Sequence, residues 1–328
     1  MTSRHGAGFL QLTRRSLKSI AAATPGVVPL VRILANQYWG LRLRIPGSRC
    51  DVDGVTHGVL RTGESVAYLR EVFEDYMQIG ALQESDLDGA RVLELGPGDS
   101  LGVALLFVGA GAASVVCLDR FLTARDPVKE RQILRTLVDA AAPAARARMR
   151  SCLGPDGDIL EPRIRYVHGL PIERATPATL GDPFDYVVSR SVLEHVCDLD
   201  ATYENLRRLL KQGGRMIHKV DLSNHSKVER HPLRFLTYSS RLWRLMSSNI
   251  SRINRCRWPQ HRDALQGKGF VIERFVPTRA YGLEVIRALR ARLAPPYSEM
   301  TDEELAVGGF FIACRAIEPP HGSKVAMA

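Results

Sequence analysis

The stretch that most constrains this 328-residue chain is Arg91-Val-Leu-Glu-Leu-Gly-Pro-Gly-Asp-Ser-Leu101. A short β-prone run, Val92-Leu93-Glu94-Leu95, ends in Gly96-Pro97-Gly98, and a helix-compatible run from Leu101 to Phe107 follows. That order predicts a buried parallel strand, a tight turn and a helix N-terminus. Glycine lets the backbone come within contact distance of a ligand because no Cβ stands in the way. The helix start is expected to present unpaired N–H groups behind the turn. A second apolar run, Ser114-Val-Val-Cys-Leu118, ends in Asp119. An acid at that distance matches the residue that takes ribose hydroxyls at the tip of the second strand of a dinucleotide-type βαβ unit. The stretch reads as a nucleoside-cofactor site.

Which nucleoside follows from what is missing. A pyrophosphate cradle wants G-x-G-x-x-G, whereas here the third glycine is displaced to Gly102. Glu94, just before the turn, would repel a diphosphate and suits an ammonium or sulfonium group. At this point the chain resembles the class I S-adenosylmethionine-dependent methyltransferases, whose first motif is an acidic residue, any residue, then Gly-x-Gly. The resemblance implies that Gly96 and Gly98 line the cofactor, Glu94 supports its charged end and Asp119 takes the ribose. Ser100 stands where relatives often carry a third glycine.

Further along, strand-like and helix-like runs alternate. Strands are expected at 92–95, 115–118, 164–167, 185–188, 215–220, 270–275 and 308–314. Helices are expected at 64–82, 101–109, within 127–141, through 206–210 up to Gly213-Gly214, and at 283–293, with a loop over 141–162. Such alternation favours a parallel sheet with helices on both faces. With the resemblance it implies an α/β, Rossmann-like, seven-stranded, mostly parallel sheet of the class I methyltransferase fold, with a basic N-terminal extension and an insertion after strand five. The expected division is an extension with lead-in helices over 1–84, a methyltransferase domain over 85–318 with a substrate lid at 221–262, and a disordered tail at 319–328. The lead-in helix at 64–82 would close over the cofactor.

Ligands of open α/β sheets bind beyond the carboxyl ends of the strands. The segment after strand four, Ser189-Arg-Ser-Val-Leu-Glu-His195-Val, is therefore expected to face the methyl group. It resembles the family's post-strand-four motif, and Arg208-Leu-Leu-Lys-Gln-Gly-Gly214 resembles the motif that follows it. Ser189 is placed with the cofactor-binding set, and so is His168, since the tip of strand three lacks the family's adenine-binding acid. Methyl transfer to a hydroxyl needs an aligned acceptor and a proton acceptor. Histidine titrates in the right range, so His195, His218 and His225 are the candidate bases, with His195 favoured. No metal is called for.

Charge locates two appendages. Residues 1–50 hold eight Lys/Arg and no Asp/Glu, and residues 226–263 hold nine Lys/Arg against Glu229 and Asp263. They contribute +8 and +7 to a formal net charge of +10, leaving the rest of the chain at −5. The first reads as an interfacial segment on anionic lipid, an organelle transit peptide, or a solvated extension packed on the core. Its apolar run, Ile20 to Val31, is broken by Pro25 and Pro29 and is too short to span a bilayer. Six cysteines without C-x-x-C spacing argue against structural zinc or a disulfide scaffold and for a reducing compartment. In the second appendage, arginines interleaved with Phe235, Tyr238, Trp243 and Trp258 suit a ligand with phosphates and rings or sugars.

Glu-Leu-Gly-Pro-Gly-Asp-Ser-Leu, the His218 to His225 segment and Asn254-Arg-Cys-Arg-Trp258 together resemble methyltransferases associated with bacterial surface-polysaccharide biosynthesis. The expectation is a cytoplasmic enzyme, in one reading at the inner membrane face, that uses S-adenosylmethionine to O-methylate a sugar hydroxyl on an anionic or lipid-linked glycan. The alternatives are a methyltransferase for a small metabolite or lipid, and a non-catalytic cofactor- or RNA-binding protein of the same fold. No RNA-binding module is evident, which makes nucleic acid the weaker partner.

Overall fold

The structure, a computed structural model, describes residues 27–42, 44–45, 56–225, 231–249 and 253–317. The sheet is made of β1 (Arg91–Leu95), β2 (Ser114–Asp119), β3 (Ile164–His168), β4 (Phe184–Arg190), β5 (Leu210–Asp221), β6 (Phe270–Ala280) and β7 (Val307–Ala316). The helices are α1 (Val28–Arg42), α2 (Thr62–Ile79), α3 (Gly102–Gly109), α4 (Pro127–Asp139), α5 (Pro143–Arg150), α6 (Pro177–Leu180), α7 (Leu199–Leu209), α8 (Ser240–Ser247), α9 (Trp258–Gly267), α10 (Leu283–Arg287) and α11 (Asp302–Ala306). Strand order is β3-β2-β1-β4-β5-β7-β6. The pairs from β3 to β5 are parallel, and β7 runs antiparallel to both β5 and β6. The expected seven-stranded, mostly parallel sheet is therefore present.

Both faces of the sheet are covered, which is why its central strands read as continuous Val/Leu runs. On one face α2, α3, α4 and α5 bury Leu69, Tyr76, Phe107 and Leu134 against Val92 and Val115. On the other, α7 and α9 bury Tyr203, Leu206 and Leu265 against Leu93, Val187 and Phe310. β1 lies between β2 and β4, where the chain winds outward in both directions. The crevice beyond its carboxyl end is the ligand position such a sheet provides.

The structure corrects several expected boundaries. The 141–162 stretch, expected as a loop, contains α5. Alanine and arginine are good helix formers, Pro143 occupies the first turn where its missing N–H costs nothing, and Met149 packs onto Gly109. α7 begins at Leu199, where the Asp198 carboxylate accepts the Ala201 N–H at 3.0 Å. It stops at Leu209 rather than at Gly213-Gly214, because Leu210 already pairs with Phe184. The helix expected at 283–293 is divided into α10 and a 3-10 turn over Arg290–Arg292.

A satellite core joins Leu233, Phe235, Trp243 and Met246 of the insertion to Ile286, Leu289 and Tyr297. α9, whose first half falls in the range expected for the lid, packs in the main core. Of the basic N-terminal extension, α1 is described. Asn36 donates to the Leu245 carbonyl of α8 at 2.9 Å and accepts the Asn249 N–H at 2.9 Å. The side of α1 away from α8 exposes Leu30, Leu34 and Leu41, each more than 60% accessible. Among the described residues no helix is long and apolar enough to cross a membrane. The rest of residues 1–26, on which the transit-peptide reading falls, and the expected tail at 319–328 lie outside the described residues.

Candidate active site

A cavity of about 410 Å³ opens at the carboxyl ends of β1 and β4. Its floor is the glycine turn. Gly96 and Gly98 adopt φ of +64° and +70°, and a Cβ on Gly96 would come within 2.5 Å of Val192 Cγ2. Only glycine allows this turn to meet the segment after β4 so closely. Behind the turn, two of the N–H groups at the start of α3 have side-chain partners. Leu101 N–H donates to Glu130 Oε1 at 2.7 Å and Gly102 N–H to Ser100 Oγ at 3.2 Å. The expectation of unpaired donors is thus corrected at these two positions, where Glu130 and Ser100, the latter at the third-glycine position, accept the N–H groups. Gly102 serves packing instead, since a Cβ there would meet Leu69 Cδ1 at 2.5 Å.

Glu94 and Asp119 both line the cavity. Glu94 is almost fully buried, with the Cys117 thiol donating to its Oε2 at 3.4 Å. Burial pushes its carboxyl up to about 7. Asp119 Oδ2 accepts from Thr123 Oγ1 at 2.9 Å and from Tyr166 OH at 3.5 Å, so the carboxylate is held in place at the tip of β2. His168, paired with Asp119 across β2 and β3, is exposed beside Tyr166 and is not brought to the cavity wall.

The candidate histidines separate clearly. His195 and His225 line the cavity with ring centroids 5.1 Å apart. His225 Nε2 lies 3.7 Å from Asp221 Oδ2. Glu194, 1% exposed, accepts the Asp221 N–H through Oε1 at 3.2 Å. His218 and Ser189 are fully buried on neighbouring strands and bonded to each other, Ser189 Oγ to His218 Nδ1, at 2.8 Å. Burial lowers the His218 imidazole to about 3. Neither is among the residues that line the cavity. Both are corrections to the sequence expectation.

Two contributors escaped the sequence reading. Arg190, the last residue of β4, lines the cavity and is held by Asp75 and, at 3.3 Å, by Glu71 of α2. That ties the lead-in helix over the pocket, and Tyr68, Leu69 and Tyr76 of α2 line it. His57 is brought in by Asp99, which accepts the backbone N–H groups of Thr56, His57 and Gly58 at 2.8–3.1 Å. The acid was visible in the motif, but its partners lie some forty residues earlier.

A family model described as a methyltransferase domain matches residues 68–272. The chain belongs to the class I S-adenosylmethionine-dependent methyltransferases. An S-adenosylmethionine dependent methyltransferase from Mesorhizobium loti is 19% identical, with 78% of this chain and 100% of that chain covered and a TM-score of 0.42. Phosphoethanolamine N-methyltransferase 2 of Haemonchus contortus, in complex with phosphomonomethylethanolamine and S-adenosylhomocysteine, is 16% identical, with 82% and 60% covered and a TM-score of 0.43. No curated protein matches the sequence.

The residues present fit the methyltransferase cofactor: a glycine turn that a ligand can approach, a buried carboxylate and a second acid held in place. This yields a pH prediction. A carboxyl raised to about 7 is protonated in acid and cannot pair with a cation. S-adenosylmethionine affinity should therefore fall as pH drops below about 7, by up to about tenfold per unit, and level off above it. Calorimetric titration between pH 5.5 and 8.5 checks this. A flat profile in the native protein, or an unchanged profile in Glu94→Gln, would remove Glu94 from the cationic end.

In the methyltransferase the Asn254-Arg-Cys-Arg-Trp258 segment is a clamp, not a ligand site. Asn254 N–H donates to the Glu194 carbonyl at 2.6 Å and its Nδ2 to the Leu193 carbonyl at 2.8 Å. Arg255 donates to the Tyr238 carbonyl at 2.6 Å and lies over the rings of Trp243 and Tyr297. Arg257 is fully buried, and Trp258 stacks on Phe275 at 3.9 Å. These arginines satisfy inward-pointing carbonyls, which corrects the expectation that Arg255 and Arg257 present a phosphate- or sugar-binding face.

Proposed function

We propose that this methyltransferase O-methylates a hydroxyl of a sugar on an anionic or lipid-linked glycan. In that reaction the carbon–sulfur bond of S-adenosylmethionine breaks as the carbon–oxygen bond forms, S-adenosylhomocysteine leaves, and the hydroxyl proton departs. The observation that carries the reading is the cluster in which His195 and His225 line the cavity, with the buried Glu194 beside them and Asp221 next to His225. An amine acceptor with a free lone pair would not need such a group, whereas a hydroxyl does. His195 and His225 remain the candidates to handle the proton. The anionic and lipid-linked character is supported by the two basic segments and by the exposed leucine face of α1, the composition of a segment that lies on anionic lipid. A small metabolite or lipid acceptor is the second reading, favoured by the cavity volume of about 410 Å³.

The test offers phosphorylated and lipid-linked sugars, free and in anionic vesicles, and locates the transferred methyl by mass spectrometry. An O-methyl sugar, formed faster on vesicles and less so after Leu30→Ser, Leu34→Ser and Leu41→Ser together, supports the proposal. An N-methyl product, or turnover confined to small soluble acceptors, overturns it. His225→Ala should lower kcat about 100-fold or more with S-adenosylmethionine affinity retained. Unchanged kcat would remove the cluster from the reaction.

A further inference from the structure

We propose that Glu194, His195 and His225 bind one divalent first-row transition-metal ion in the wall of the cavity. The role given to that ion rests on the cavity being the acceptor site. The donor atoms of the three residues all lie within 4.8 Å of one another, and among the described residues no other trio of His, Cys, Asp or Glu gathers its donors this closely. Glu194 Oε1 accepts the Asp221 N–H, while Oε2 is buried and has no hydrogen-bond partner. A buried carboxylate oxygen without a partner is costly. A cation suits a carboxylate oxygen and two imidazole nitrogens alike.

The donor set decides the class of ion. Calcium and magnesium favour all-oxygen shells. Two imidazoles and a carboxylate suit zinc, iron, cobalt or nickel with coordination positions left open. Binding distances of about 2.0–2.2 Å require the donors to close in further. His225 lies on the exposed side of the cluster and supplies that movement, while Glu194 is fixed. Asn254 holds the Leu193 and Glu194 carbonyls from the opposite side. Asp221 Oδ2, 3.7 Å from His225 Nε2, stands where a carboxylate orients a ligating histidine. An acceptor hydroxyl in an open position of the ion would lose its proton to water more easily. The imidazoles would then hold the ion rather than take the proton.

Titrating the tag-free, chelator-treated full chain with Co²⁺ tests this, followed by visible absorbance and calorimetry. One equivalent per chain is expected, with affinity reduced at least about tenfold in Glu194→Gln and in His225→Ala, and about tenfold in Asp221→Asn. S-adenosylmethionine titrations on the same samples verify that each variant is folded. If Glu194→Gln is unstable, His225→Ala at the exposed position decides alone. No saturable binding, or binding indifferent to His225→Ala, overturns the site and assigns the ion to surface histidines. Cobalt binding without glycan methylation would leave the site standing and remove the acceptor reading. Methylation undiminished after chelation would remove the ion from the reaction and leave that reading intact.

Discussion

Asp119→Ala is expected to weaken S-adenosylmethionine binding about 100-fold while leaving the fold unchanged. The carboxylate stands at the tip of β2 with Oδ2 held by Thr123 and Tyr166, so it is aimed before a ligand arrives. Burial raises its pKa, against the opposing pull of those bonds. Holding it there therefore adds little to the stability of the empty protein. A ribose offers two hydroxyls, and each hydrogen bond to a charged group contributes about 1.5–3 kcal/mol. Two of them amount to about 3 kcal/mol, or two orders of magnitude in Kd. Calorimetry beside a thermal unfolding curve separates binding from folding. A loss below about threefold would place the ribose elsewhere in the cavity.

Arg257→Met is expected to destabilise the protein by about 3 kcal/mol or more. Arg257 is the largest fully buried side chain among the described residues. Nη1 donates to the Leu222 carbonyl at 2.7 Å, and Nη2 donates to the carbonyls of Leu305, at 3.3 Å, and Val307. One guanidinium thus fastens the exit of β5 and the entry of β7, where the satellite core meets the sheet. Burial lowers its pKa to about 10, so releasing the charge to water gives back part of the cost of burying it. Methionine keeps the apolar stem but leaves three carbonyls unpaired, at about 1–3 kcal/mol each, and that loss outweighs the relief. Urea unfolding provides the measurement, with Arg262→Met, an exposed ion pair on α9, as a control within about 0.5 kcal/mol. A change below 1 kcal/mol for Arg257→Met would mean that the carbonyls find other donors.

The two predictions fall on either side of what could be read without a structure. Asp119 was legible because a strand, a glycine turn, a helix and a second strand are contiguous, and each announces itself through period and turn chemistry over a few residues. The same local logic located all seven strands and the lead-in helix. It failed at α5, within the stretch expected as a loop, where Pro143 sits at a helix start. It also failed at Arg255 and Arg257, since a row of arginines and aromatics looks the same whether it faces a ligand or buried carbonyls.

By itself, the sequence located the strand, turn, helix and second strand whose residues are proposed to hold the cofactor. A backbone that must turn sharply and approach a ligand is encoded in adjacent residues, and Glu94, Gly96, Gly98 and Asp119 carry that information locally. Which histidines meet at the cavity was decided by tertiary structure alone. His218 and His225 are seven residues apart, yet the pairing of β4 with β5 seals the first against Ser189, while the chain leaving β5 carries the second to His195. Asn254 reaches Glu194 across 60 residues, and Asn36 reaches Asn249 across 213. Long-range contacts of this kind depend on how finished elements pack, and no local period records them.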